Sequence, residues 1–76
     1  MKELLTFLAQ SLVDHPDAVV VTEHASEGET VLELRVAPDD MGKVIGRQGR
    51  IAKEIRTLVR SVAQKNGTKV SVEILD

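Results

Sequence analysis

Two glycines three positions apart, Gly46 and Gly49, enclose Arg47 and Gln48, and Arg50 follows directly. Glycine at both ends permits positive φ angles and lets another backbone approach closely, because no Cβ stands in the way. The next residues have the apolar spacing of a helix, so the segment would lie at a helix N-terminus, where backbone N–H groups lack partners and the macrodipole is positive. A cation there opposes the dipole at a cost of about 0.3–1 kcal/mol. The two arginines therefore indicate that an anion binds here, and a phosphate group suits the backbone N–H donors of such a terminus.

Other glycine motifs match these residues less well. A Walker loop requires Lys-Ser or Lys-Thr after its last glycine, whereas Arg50 follows Gly49 in this chain. The dinucleotide-binding fingerprint G-x-G-x-x-G is absent, because Gly42 lies four residues before Gly46. A tight turn between two helices with no ligand remains the alternative, and the flanking arginines favour phosphate binding over it.

The charges of the chain are segregated along the sequence. The formal net charge of −2 and the isoelectric point near 5.6 do not by themselves suggest a polyanion as partner. Between residues 41 and 60, however, six basic residues face Glu54 alone, so this segment carries +5 and the rest of the chain −7. A polyanion would be attracted to the segment and repelled elsewhere. The six residues are Lys43, Arg47, Arg50, Lys53, Arg56 and Arg60.

The other polar residues do not suggest catalysis or metal binding. The chain has no cysteine, and neither His15 nor His24 has a partner at metal-ligand spacing. Pro16 predicts the end of a helix before it, and helix capping explains Asp39 and Asp40 better than a pair of catalytic carboxylates does. No nucleophile, base and orienting group occur together. We therefore expect no enzymatic activity, no metal or other cofactor and no small-molecule substrate.

The N-terminal apolar run superficially resembles a secretory signal. Glu3 and Gln10 interrupt it, and no small-residue cleavage pattern follows. No stretch approaches the length of a membrane span. These features predict a soluble, cytoplasmic protein with no membrane partner.

Hydrophobic periodicity divides the chain into six elements in the order α-β-β-α-α-β. The predicted helices cover residues 4–13, 41–45 and 50–65, and the predicted strands cover residues 18–25, 30–36 and 69–75. Asp39 and Asp40 would cap the short helix, and Asn66 with Gly67 would end the long one. Helices on one face of a three-stranded sheet make an α+β fold, a two-layer α/β sandwich. The length of 76 residues predicts a single domain, residues 1–76.

The long helix is expected to have an apolar and a basic side. At 100° per residue, Lys53, Arg56 and Arg60 point nearly opposite to the apolar set and lie in solvent. Arg56 and Arg60 would then steer a polyanion from a distance, while Arg50, nearest the glycine loop, would contact it. The apolar set expected in the core is Ile51, Ile55, Leu58, Val59 and Val62.

The segment from Val44 to Ile55 resembles the signature of KH domains, V-I-G-x-x-G-x-x-I-x-x-I, and the order of elements resembles the type II arrangement of these domains. Beyond the signature, the chain resembles from end to end the KhpA (YlqC) family of stand-alone bacterial KH proteins. The segments that carry this wider similarity are residues 15–17, 36–40 and 42–59.

The resemblance implies binding of single-stranded RNA, with single-stranded DNA left open. Gly46 and Gly49 would admit the sugar-phosphate backbone of about four nucleotides, and Arg47 and Gln48 would donate to it. The groove would be aliphatic, which agrees with Phe7 as the single aromatic residue of the chain. The remaining expected site residues are Ile45 and Ile51 in the groove, Lys43 and Arg50 at its rim, and Lys53 beyond.

The resemblance further implies self-association, pairing with a larger KH-containing partner, KhpB (Jag or EloR), and a role as a post-transcriptional regulator or RNA chaperone. The alternative is a KH-fold scaffold for protein interaction that has little affinity for nucleic acid. Retention of the glycine loop with its arginine favours RNA binding over this alternative.

Overall fold

The computed structural model describes residues 1–75 and confirms the predicted order of elements. Helix α1 is followed by a hairpin of strands β1 and β2, then by helices α2 and α3, and finally by strand β3. Short 3-10 turns precede β1 and α2, and a third joins α2 to α3. The bounds are α1 Lys2–Leu12, β1 Val20–Ser26, β2 Glu29–Arg35, α2 Met41–Ile45, α3 Arg50–Lys65 and β3 Val70–Leu75.

The three strands form a mixed sheet in the order β1-β2-β3. β1 and β2 are antiparallel and joined at Glu27 and Gly28, which both adopt the positive φ angles of a two-residue hairpin turn. β3 runs parallel to β2, with Leu32 opposite Val72. A parallel pair needs a crossover connection, and α2 and α3 supply it.

The helices cover one face of the sheet, so the predicted two-layer α/β sandwich is confirmed. Alternate residues of β2 and β3 point into the core, as the sequence pattern predicts. Gly67, with a φ of +72°, ends α3 as expected. The N–H of Thr68 donates a hydrogen bond to the Ala63 carbonyl at 2.9 Å. The most deeply buried apolar side chains are Leu5, Ala9, Leu32, Leu34, Val44, Val59 and Ala63.

The expectation that Leu58 belongs to the core is wrong, since 43% of its surface is exposed. It lies about 100° around α3 from Val59, which is fully buried. The buried side of the helix is centred instead on Val59 and two alanines, Ala52 and Ala63. The KH signature has isoleucine at the position of Ala52. Leu58 lies at the flank of this buried side of the helix.

The expectation that Asp40 caps the short helix is also wrong, because no side-chain hydrogen bond caps α2. Pro38–Asp40 instead forms a 3-10 turn that leads directly into the helix. The Asp40 carboxylate contacts Asp14 and His15 in the turn after α1, and its side chain is only 1% exposed. None of the helices between residues 1 and 75 is both long and apolar enough to cross a membrane.

Candidate nucleic-acid interface

The loop between α2 and α3 has a backbone that reverses direction within four residues. Gly46 has a φ of +77° and a ψ of 176°, a combination that is essentially restricted to glycine. Gln48 and Gly49 follow in the left-handed region, with φ angles of +57° and +74°. The N–H of Gly49 donates to the Gly46 carbonyl at 3.2 Å and closes the turn. The predicted sharp reversal is thus built from three residues with positive φ angles, Gly46, Gln48 and Gly49, which flank Arg47.

Gly46 also lies directly against the side chain of Ile51. A Cβ added to Gly46 would be 2.6 Å from Cγ1 of Ile51 and 2.9 Å from its Cβ, closer than atoms can approach. A Cβ at Gly49 would meet nothing within 4 Å. The two glycines are therefore required for different reasons: Gly46 for its backbone angles and its packing, Gly49 for its backbone angle alone.

The polar side chains predicted for the loop are directed to solvent. Arg47, Gln48 and Arg50 are all exposed, and no side-chain hydrogen bond caps the N-terminus of α3. Lys53 is exposed one turn further along, and with Arg50 and Thr57 it lines a shallow depression on the helix surface. The positive end of α3 is thus flanked by cations, and its first-turn N–H groups have no side-chain acceptor.

The aliphatic residues expected at the groove occupy two positions relative to the loop. Ile45 ends α2 and is 37% exposed, whereas Ile51 is half-buried beneath Gly46. Ile51 also lines an apolar groove between α1 and α3, together with Leu8, Leu12, Ile55 and Leu58. Ile51 therefore supports the loop from below, and Ile45 is the more accessible of the two.

Two basic residues of α3 lie farther from the loop, in different surroundings. Arg60 is exposed, as expected for a residue that acts at long range. Arg56 is exposed as well, but its Nε donates to the Val72 carbonyl of the edge strand β3 at 3.2 Å. Arg56 thus attaches α3 to the sheet in addition to contributing charge.

Lys43 is the one predicted site residue whose charge is engaged within the protein, among the residues described. Its Nζ lies 3.2 Å from Oδ2 of Asp14 and 3.7 Å from Oδ1 of Asp40. The hydrogen bond and the charge of Asp14 raise the pKa of Lys43 above 10.5, with a smaller contribution from Asp40. Lys43 is therefore a cation at neutral pH, held toward the end of α1.

A polar cluster around Asp40 was not foreseen from the sequence. Its Oδ1 accepts the backbone N–H of Asp14 at 3.2 Å, and its Oδ2 accepts the backbone N–H of His15 at 3.0 Å. The Nδ1 atom of His15 lies 3.0 Å from the same Oδ2. Asp14 and His15 occupy the turn after α1, some 25 residues before Asp40 in the chain. No periodicity or motif links positions so far apart, so only the fold brings them together.

The protonation states of the cluster follow from these contacts. Burial alone would raise the pKa of Asp40, but the hydrogen bonds from Asp14 and His15 outweigh it and hold this pKa below 3.8. The hydrogen bond to Asp40, followed by its charge, raises the pKa of His15 above 6.5. No group of three or more potential metal ligands is found in the part of the chain that the structure describes.

Comparison with known proteins identifies close relatives over the whole chain. The sequence model of the KhpA/KhpB KH domain matches residues 2–74. A Clostridium acetobutylicum protein described as "RNA-binding protein KhpA" is 57% identical over 75 residues, which are 99% of this chain and 100% of that protein. A Listeria monocytogenes protein of the same description is 47% identical, with full coverage of both chains.

Similar solved structures support the same fold. The structure of Aquifex aeolicus Era bound to GDP and AlF4− aligns with a TM-score of 0.66 at 21% identity, covering 96% of this chain and 28% of the other. A structure of Era in complex with MgGDPNP and part of 16S ribosomal RNA aligns with the same score and coverage. The end-to-end match of sequence, the order of elements and the glycine loop between α2 and α3 agree: the chain belongs to the KhpA/KhpB family of KH domains.

Proposed function

We propose that residues 1–76 act as a single KH domain that binds single-stranded RNA through the loop Gly46–Gly49. The observation that carries this proposal is the position of the loop. It leads into the uncapped N-terminus of the long helix α3, with the side chains of Arg47, Gln48 and Arg50 free in solvent. A phosphate oxygen placed there would accept backbone N–H groups and meet two guanidinium groups.

The rest of the proposed interface follows from the position of each side chain. The space around Gly49 is open, so a nucleotide backbone can approach the loop there. Arg50 and Lys53 extend the positive surface along α3, and Ile45 offers an exposed aliphatic surface next to the loop. Bases would lie against this surface while the loop grips the backbone, so affinity would depend on phosphate contacts more than on base identity.

The comparisons support the proposed ligand. The relatives from Clostridium acetobutylicum and Listeria monocytogenes are described as RNA-binding proteins. This chain aligns with the complete length of each relative, so neither relative has an additional domain that could account for its RNA binding. A role as a post-transcriptional regulator or RNA chaperone, which the family resemblance implies, would follow from weak binding to RNAs of many different sequences.

Salt dependence tests whether the site grips the phosphate backbone. For single strands, the logarithm of the affinity falls with a slope of about −0.7 per neutralised phosphate against the logarithm of salt concentration. A loop that contacts two or three phosphates should therefore give a slope between about −1.4 and −2.1. Fluorescence anisotropy with labelled single-stranded RNA, single-stranded DNA and duplex RNA measures it. Absence of binding to both single strands at low salt, or a slope near zero, would contradict the proposal.

A second candidate function, association with another KH protein, is favoured by the apolar groove between α1 and α3. Leu12 and Leu58 at this groove are 38% and 43% exposed, and Phe7 on α1 is 66% exposed. We propose that this groove, which is lined by five apolar residues together with Ser11 and Glu54, binds a second copy of the chain or a KH-containing partner such as KhpB. The apolar residues are Leu8, Leu12, Ile51, Ile55 and Leu58. A chain that used only this groove would be a scaffold without affinity for RNA.

Substitution of Leu58 by lysine should weaken self-association by at least about tenfold, because it places a charge in an apolar contact. The fold should persist, since the side chain is already largely in solvent. Sedimentation velocity over a range of protein concentrations measures the change. Gln64→Lys, at an exposed position on the same helix, is the matched control and should leave self-association unchanged. Equal behaviour of the two variants would exclude this groove as the interface.

A further inference from the structure

The Asp40 carboxylate is the one charged group that is buried within residues 1–75. Its two oxygens accept the backbone N–H groups of Asp14 and His15, and Oδ2 also contacts Nδ1 of the His15 ring. A buried carboxylate must be hydrogen-bonded to be tolerated, and removing this one would leave the N–H groups of Asp14 and His15 without their acceptor. Acceptance of these two N–H groups is therefore one reason for a carboxylate at this position.

The location of Asp40 gives a second reason. It immediately precedes α2, which has only five residues and is too short to hold a direction without tertiary contacts. Two points of α2 are fixed inside the protein: the Asp40 carboxylate at its start and the fully buried Val44 near its end. The contact with His15 thus determines how the start of α2 lies relative to the turn after α1.

The loop is a direct continuation of this short helix. The N–H of Gly46 donates to the Gly42 carbonyl at 2.9 Å, so the hydrogen bonding of α2 extends into the first residue of the loop. Five helical residues span only about 7.5 Å. A tilt at the Asp40 end would therefore move the loop and the N–H groups that it presents to a phosphate.

We infer that Asp40 and His15 are positioning residues for the loop Gly46–Gly49, acting through α2 and touching no RNA themselves. This inference rests on the proposed function for its consequence, which is the affinity for RNA. Its structural content, the control of the loop by the contact between Asp40 and His15, can be tested without RNA.

Protonation of His15 provides a readout that a merely structural contact would lack. The charged groups around the imidazole are Asp40, Asp14 and Asp39, while the ammonium of Lys43 is paired with Asp14 and Asp40 and does not titrate near neutrality. Because the pKa of His15 is raised in the folded state, the contact is strongest below about pH 6.5 and weakens as pH rises through the raised value. The loop should respond in the same range.

The test follows the amide signals of Gly46 and Gly49 by NMR in the ¹⁵N-labelled full chain, from about pH 5.5 to about pH 8.5. We expect both amides to shift with the midpoint of the His15 ring. In His15→Asn, whose Nδ2 can replace the Nδ1 donor but does not titrate, this response should disappear. His24→Asn is the matched control, because His24 lies on β1 and its ring contacts Glu33 of β2. It should leave the response intact.

Affinity for single-stranded RNA supplies the second measurement. Asp40→Asn cannot accept all of the donors around it, and we expect it to weaken RNA binding about tenfold. If this variant does not fold, His15→Ala takes its place, because it removes the ring contact at an exposed position.

Three outcomes would overturn the inference. First, the amide signals of Gly46 and Gly49 could fail to shift with the ionisation of His15. Second, the same shift with pH could persist in His15→Asn. Third, a folded Asp40→Asn could bind RNA as tightly as the unchanged chain. If the unchanged chain binds no RNA, the proposed function fails, and the amide titration still decides whether Asp40 and His15 position the loop.

Discussion

Replacement of both Arg47 and Gln48 by aspartate should abolish binding of single-stranded RNA while the domain remains folded. Both side chains are exposed, and neither contributes to the core. Aspartate is tolerated in the left-handed conformation that Gln48 adopts at a φ of +57°. A hydrogen bond to a charged group contributes about 1.5–3 kcal/mol, so losing two phosphate contacts corresponds to at least about a 100-fold weaker affinity. Repulsion between the new carboxylates and phosphate weakens it further.

The control variant lowers the net charge by the same three units, but at positions distant from the loop. It combines Arg60→Glu with Gln64→Glu, which places two exposed carboxylates late in α3, and glutamate is well tolerated in helices. It should weaken binding only a few-fold, through long-range repulsion. Fluorescence anisotropy measures both affinities, and circular dichroism with urea denaturation verifies that each variant is folded. If the two variants lost affinity equally, net charge and not the loop would govern binding.

Much of the fold was predictable because it depends on local patterns. The apolar spacing and the glycine at position 67 correctly bounded α3, and alternation correctly located β2 and β3 to within a residue. The loop was recognisable for the same reason, since Gly46 to Gly49 and the arginines around it are contiguous. Patterns of this kind lie within a few neighbouring residues, so a single sequence reveals them without knowledge of the tertiary contacts.

The errors arose where burial is decided by elements distant in the chain. Leu58 has the spacing of a core residue, yet the buried side of α3 is centred on Val59, Ala52 and Ala63, and Leu58 lies at its flank. Asp40 has the position of a helix cap, yet its carboxylate satisfies the backbone N–H groups of Asp14 and His15 instead. A cap and a long-range acceptor require the same residue type, and the sequence alone does not distinguish them.

Replacement of Gly46 by alanine should be the most destabilising conservative change in the loop, lowering the free energy of unfolding by about 2–6 kcal/mol. The φ of +77° with ψ of 176° costs a non-glycine residue about 1–3 kcal/mol. The new Cβ would also approach Cγ1 of Ile51 to 2.6 Å, and overpacking of this kind costs about 1–3 kcal/mol. Because a domain of this size is marginally stable, such a loss would leave the variant partly unfolded at ambient temperature.

Gly49→Ala is the matched substitution, since it tests the same change three residues later in the same loop. Gly49 has a left-handed φ of +74° but open space around it, so alanine should cost only about 1 kcal/mol. Urea denaturation measures both values, and combining Gly46→Ala with Ile51→Ala isolates the part of the packing contribution that comes from Cγ1 and Cδ1 of Ile51, while the backbone contribution and the contact with the Cβ of residue 51 remain. In the Ile51→Ala background the cost of Gly46→Ala should fall, because Cγ1 and Cδ1 of Ile51 are gone, but it should not vanish. If both glycines tolerated alanine equally, the loop would not be packed on Ile51, and its position above the start of α3 would need another explanation.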